Sequence, residues 1–135
     1  MTVDELRSKL EAAFKPVEYE VEKGAIRQFV RAVDDENPRW QEVVPPTFVL
    51  IIGLEQIQRP LIDSFPATTI LHGSTELESY NPVRAGDVLT VTTVVSNIRE
   101  RKGKMGSTAF ITLDTDYQNQ RQEPVARSRQ LIISY

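Results

Sequence analysis

The chain has 135 residues, 40% of them hydrophobic and 26% charged, with a net charge of −3; that is room for one domain, and the balance argues against disorder. No cysteine is present, which excludes disulfides, thiolate nucleophiles and cysteine-based zinc or iron–sulfur centres, and a single histidine, His72, excludes a multi-histidine metal cage. Sixteen basic against nineteen acidic residues leave no basic surplus for a nucleic-acid groove.

The first segment, Thr2–Phe14, reads as a helix, with Thr2 and Asp4 as candidate caps and Glu5 as the return arm of a capping box. Val3, Leu6, Leu10 and Ala13 recur at helical spacing, and Pro16 stops the helix. Pro16–Glu22 alternates, Val17, Tyr19 and Val21 against Glu18, Glu20 and Glu22, as a short half-buried strand does. From Gly24 the period changes. Ile26, Phe29, Val30 and Val33 mark an amphipathic helix with Arg27, Gln28 and Arg31 outward. It ends in the acidic turn Asp34-Asp35-Glu36-Asn37-Pro38.

Pro45-Pro46-Thr47 opens the next segment, and Phe48–Ile52 is apolar on every side. Pro46 suits a first helical position, so the expectation is a short, fully buried helix, followed by a loop from Arg59-Pro60 to Pro66. The longest apolar run, Phe48–Leu54, is far too short to cross a membrane. The N-terminus also lacks a signal peptide's apolar stretch, and a cytoplasmic protein is expected. Beyond Thr68 the chain reads as extended: strands at Thr69–Ser79, Asp87–Glu100, Met105–Tyr117 and Pro124–Tyr135, with turns at Asn81–Asp87, Lys102–Lys104 and Asn119–Glu123. The expected class is α+β, with an antiparallel sheet of about five strands wrapped around a central helix. Such a sheet leaves an edge that dimerisation commonly covers.

Four stretches in order then carry a resemblance. Glu18–Val21, Ile26–Val33, Asp34–Pro38 and Pro45–Phe48 resemble the MaoC-like dehydratase family, in particular its FAS1-like N-terminal dehydratase domain and the A-type subunit of hydroxyacyl-ACP dehydratases. Leu71-His72-Gly73 and the Pro82-Val83-Arg84-Ala85-Gly86-Asp87 corner agree. The resemblance implies a hot-dog fold over residues 1–135, with residues 1–15 as an added N-terminal helical extension. It also implies (R)-specific 3-hydroxyacyl-thioester dehydratase or enoyl-CoA hydratase chemistry, with no cofactor and no metal.

Active members of that family carry G-D-x-N-P-x-H, whose Asp and His handle the water and the proton. Here Asp34 stands for the Gly, Asp35, Asn37 and Pro38 match, and Trp40 occupies the His position. Hydration of an enoyl thioester needs an acid and a base on either side of the double bond, and an indole is neither. The leading expectation is therefore a non-catalytic, acyl-binding subunit beside a catalytic MaoC-like partner. Two alternatives stay open: a stand-alone hydratase or acyl-CoA thioesterase using Asp35 or Glu36, and a homodimer that binds acyl thioesters without chemistry.

Each candidate residue also has a plainer reading. Asp35 and Asn37 are a catalytic pair or a turn and cap. His72 is a base, a wall of the acyl tunnel beside Gly73, or a structural histidine. Trp40 fills the vacated catalytic space or covers the core. Phe48 and Ile52 line an acyl tunnel, the core, or both. Arg84 guards the mouth of a pantetheine channel or ties a corner. Arg101 and Lys102, with Arg99 and Lys104, meet the phosphates of coenzyme A or the acidic surface of an acyl carrier protein, or form a solvated hairpin tip. The expected ligand is an acyl-CoA or acyl-ACP thioester, and neither nucleic acid nor membrane is an expected partner.

Overall fold

The computed structural model describes residues 2–65, 69–104 and 106–135. Helix α1 (Val3–Ala13) starts on the expected capping box: the Glu5 backbone N–H donates to Thr2 Oγ1 at 3.1 Å, and the Thr2 N–H donates to Glu5 Oε2 at 2.8 Å. Strand β1 (Val17–Glu20) and helix α2 (Lys23–Ala32) follow, then a 3-10 turn at Pro38–Gln41 and a 3-10 helix at Pro46–Ile51. Helix α3 (Leu54–Ser64) leads into strands β2 (Ile70–Ser79), β3 (Val88–Gly103), β4 (Gly106–Gln118) and β5 (Pro124–Ser134).

The five strands form one antiparallel sheet in the order β1-β3-β4-β5-β2. The two hairpins β3–β4 and β4–β5 are local and were legible from their turns. The placement of β2 beside β5, and of β1 beside β3, closes the sheet over long sequence distances. β2 therefore stands at one edge with β5 as its one neighbour among the described strands.

One face of the sheet carries the core, in two clusters. Phe48, Val49 and Ile52 join Val21, Ile26, Leu89, Val91, Tyr117 and Val125. Leu61 joins Leu6 and Leu10 of α1 with Val95, Ile98, Ile111, Leu113 and Ile132. Helix α1 is thus packed on β3 and α3 and contributes two buried leucines.

The central segment differs from the expectation at two points. It is two helices, split at Gly53, whose φ of +77° is the left-handed conformation glycine adopts without steric cost. And α3 runs through Arg59 and Pro60 to Ser64, where a loop was expected; the end of that expectation, Pro66, lies outside the described residues, as does Met105 at the start of the strand expected there. Leu54, Ile57 and Leu61 continue one helical face across the proline. An interior proline costs roughly 3 kcal/mol, and burying Leu61 with half of Ile57 offsets a loss of that order. Nor is the central helix fully buried: Ile51, Leu54 and Ile62 stay exposed.

On the opposite face, Asp114 is 5% exposed and takes two bonds from Arg129, Nε–H to Oδ1 at 2.8 Å and Nη2–H to Oδ2 at 3.0 Å, with Arg127 Nη2 at 3.5 Å. These bonds, first those of Arg129, hold the Asp114 carboxyl below the usual carboxylate range. A carboxylate whose folded pKa is depressed stabilises the fold fully above its unfolded value, about 3.9, and loses that contribution as pH falls through the folded value. Asp114→Asn is expected to cost about 1–2 kcal/mol at neutral pH, since both arginines are half-exposed and relax into water. Urea melts from pH 7 to pH 2 check this: below roughly pH 5 the variant's stability should fall less steeply than the parent's.

Candidate functional site

Helix α2 ends in a tight turn, with Asp34 at φ +54° and the Asp35 N–H bonded to Val30 O at 3.2 Å. From there a relay of side-chain caps fixes the chain. Asp35 Oδ1 accepts the Asn37 N–H at 3.0 Å, Asn37 Oδ1 accepts the Arg39 N–H at 3.0 Å, and Asn37 O accepts the Trp40 N–H at 3.1 Å. The residues matching the family's catalytic signature thus build the 3-10 turn that carries Trp40.

A cavity of about 350 Å³ lies against this turn, lined by Asp35, Asn37 and Trp40 together with Ile26, Arg27 and Arg31 of α2. A second, of about 300 Å³, is lined by Val43, Val49, Tyr80, Asn81 and Val125. Trp40 lines both. Its Nε1–H is buried and finds no acceptor among the described residues. A buried donor left unpaired costs about 1–3 kcal/mol and calls for a reason.

His72 is not brought to Asp35. It lines a third, mainly apolar groove of about 430 Å³ between α3 and the β2 edge, with Leu54, Ile57, Leu61, Ile62, Leu71 and Thr75, and this groove shares no lining residue with the Asp35 cavity. The strand bulges between His72 and Ser74, which sets His72 and Thr75 on one face, and His72 Nε2 meets Thr75 Oγ1 at 2.6 Å. Gly73 sits in that bulge because a Cβ there would meet Leu131 O at 3.1 Å and the side chains of Leu131 and Ile133 at 3.2 Å.

The remaining candidates separate clearly. Phe48 and Ile52 are sealed in the core and line none of these cavities. Arg84 belongs to the corner: its N–H bonds Asp87 Oδ2 at 2.9 Å, and its Nη1–H reaches Glu42 O at 3.4 Å. The buried Asp87 also accepts Gln120 Nε2–H at 3.0 Å, which ties the corner to the β4–β5 turn. Arg101 and Lys102 are exposed near the far end of β3, roughly 45 Å of strand from that corner at about 3.3 Å per residue. The basic groups actually lining the Asp35 cavity are Arg27 and Arg31. Their i,i+4 spacing on the outward face of α2 was the available signal.

Five antiparallel strands with a central helical segment on one face, and a capped acidic turn after α2, define a hot-dog domain of the MaoC-like dehydratase type. Residues 10–128 match the family described as FAS1-like, dehydratase domain region, and the chain belongs to that family. It is similar to a UPF0336 protein of Thermobifida fusca, 26% identical over 133 residues, covering 87% of this chain and 85% of the relative. Among solved structures it is similar to a MaoC-like dehydratase from Rhodospirillum rubrum (TM-score 0.66, 25% identity, 100% and 97% of the two chains covered). It is also similar in fold to the C-terminally truncated HadBC (3R-hydroxyacyl-ACP dehydratase) complex from Mycobacterium tuberculosis (TM-score 0.72, 21% identity, 89% and 92% covered). Among the described residues no helix is long and apolar enough to cross a membrane.

Proposed function

We propose that this chain is the acyl-binding, non-catalytic subunit of an (R)-specific 3-hydroxyacyl-thioester dehydratase, working beside a MaoC-like partner that supplies the acid and base. In this reading residues 1–135 are one hot-dog unit with an added N-terminal helix. The observation that carries it is Trp40 in the place of the family's histidine. The turn, the Asp and the Asn are kept, but the group that would move a proton is not. His72 lies in a separate groove, and the other titratable residues lining the Asp35 cavity, among the described residues, are Asp34, Glu36, Arg27 and Arg31, with no histidine among them.

Two further observations support a paired chain. The free edge of β2 is ten residues long, and the apolar groove beside it exposes Ile62 (55%) and Leu71 (44%). The HadBC neighbour is itself described as a complex. A second hot-dog chain docking along β2 would extend the sheet and cover the groove.

The reading is tested by titrating crotonyl-CoA into the purified chain, by calorimetry and by thermal melts. Saturable binding is expected, with a stabilisation of about 2.7 kcal/mol at a hundredfold excess over Kd. No heat and no shift in Tm with crotonyl-CoA up to millimolar, and none with a crotonylated acyl carrier protein, would overturn it.

A further inference from the structure

Two cavities share one side chain whose only polar atom is a donor with nothing to donate to among the described residues. Trp40 walls both the Asp35 cavity and the Tyr80–Asn81 cavity, and its buried Nε1–H has no acceptor among the described residues. An indole N–H donates and cannot accept, so the group that satisfies it must bring an oxygen or nitrogen lone pair. It sits on a short 3-10 turn set by the Asp35 and Asn37 caps, outside every strand and α-helix.

We infer that Trp40 is a movable partition whose N–H is held for a carbonyl oxygen of the acyl-pantetheine arm. Ligand entry turns the indole, joins the two cavities and gives the orphaned donor its acceptor. The inference rests on the acyl-thioester reading above and adds the residue that makes the contact. The chemistry recognised is the thioester or amide carbonyl that coenzyme A and a carrier protein's prosthetic arm share. An indole N–H gives a carbonyl a hydrogen bond but moves no proton, so its part is to bind and orient the acyl group.

Trp40 is the one tryptophan of the chain, so its emission reports this contact without labelling. Wild type, Trp40→Phe and Trp40→Ala are titrated with crotonyl-CoA and, separately, with a crotonylated acyl carrier protein, by calorimetry. Wild-type emission is followed in the CoA titration. The emission should shift and saturate at the calorimetric Kd. Trp40→Phe, which keeps an aromatic wall and removes the donor, should bind about five- to tenfold more weakly on whichever carrier binds. Its Tm without ligand should stay within a few degrees of wild type, because the lost N–H had no bond in the free protein. Trp40→Ala should bind more weakly still.

Wild-type binding with unmoved emission, or equal affinity in Trp40→Phe, would overturn the inference and leave the acyl-binding reading standing. A Trp40→Phe protein that melts far below wild type would overturn it too, as the sign of a structural bond. Absence of wild-type binding to either carrier would overturn both.

Discussion

Phe48→Ala is expected to destabilise the fold by about 4 kcal/mol and to lower Tm by roughly 10–20 °C. Phe48 is fully buried. Its ring meets Phe29 edge-on, centroids 5.6 Å apart at 82°, and Tyr19 at 6.3 Å and 58°. Those contacts join the 3-10 helix to α2 and β1, and each aromatic pair adds about 0.5–1.5 kcal/mol beyond the area it buries. The space left by the ring would be lined by strands that cannot collapse into it, Leu89, Val91 and Tyr117 among them. Because α2 carries the Asp35–Trp40 turn, the variant should also bind crotonyl-CoA more weakly. A urea melt measures the stability change, and a loss below roughly 1 kcal/mol would mean that Phe48 is not the keystone of this cluster.

Ile62→Asp is expected to leave the fold intact and abolish assembly. Ile62 is 55% exposed on α3, beside the β2 edge, so a charge there costs the free chain little. In an assembly that covers the groove the same carboxylate would be buried without a partner, at a cost of several kcal/mol. Sedimentation of parent and variant at matched micromolar concentration reads the difference directly. The parent should run as a dimer, with itself or with its catalytic partner, and the variant as a monomer with an unchanged Tm. A dimeric variant would remove this groove from the interface.

Local patterns in the sequence carried far. The Thr2–Glu5 capping box, the alternation over Val17–Val21 and the Val/Thr-rich β3 were all visible because each depends on neighbours a few residues away. The error at Arg59–Pro60 has the opposite cause. A proline is a strong local signal against helix, and it is overruled by Ile57 and Leu61 packing with residues of α1, β3, β4 and β5 thirty and more positions distant. The helical face through Leu54, Ile57 and Leu61 was there to be read.

The site was legible in its chemistry and not in its geometry. The resemblance to the family's G-D-x-N-P-x-H signature puts Trp40 in the histidine's place, and the turn residues Asp35 and Asn37 with it. That His72 lies in another groove depends on the order of strands and on a bulge at Gly73, neither of which leaves a mark in a single sequence. Nothing in the sequence marks Arg27 and Arg31 specifically as site residues, because an outward basic face is what any amphipathic helix presents. Only the fold of the Asp34–Gln41 turn back onto α2 makes them part of a cavity. From sequence Arg84 fits either a channel guard or a corner residue, and its bonds to Asp87 and Glu42 are those of the corner.

On the proposed function, a dehydratase site keeps its frame here and lacks its proton-transfer group. The most direct test is the hydration of crotonyl-CoA by the purified chain alone, followed by loss of the enoyl absorbance at concentrations where calorimetry shows the ligand bound. The account predicts a flat trace from a folded, ligand-bound protein, and turnover only once a catalytic partner is added. Steady turnover by the chain alone, abolished in Asp35→Ala, would contradict it.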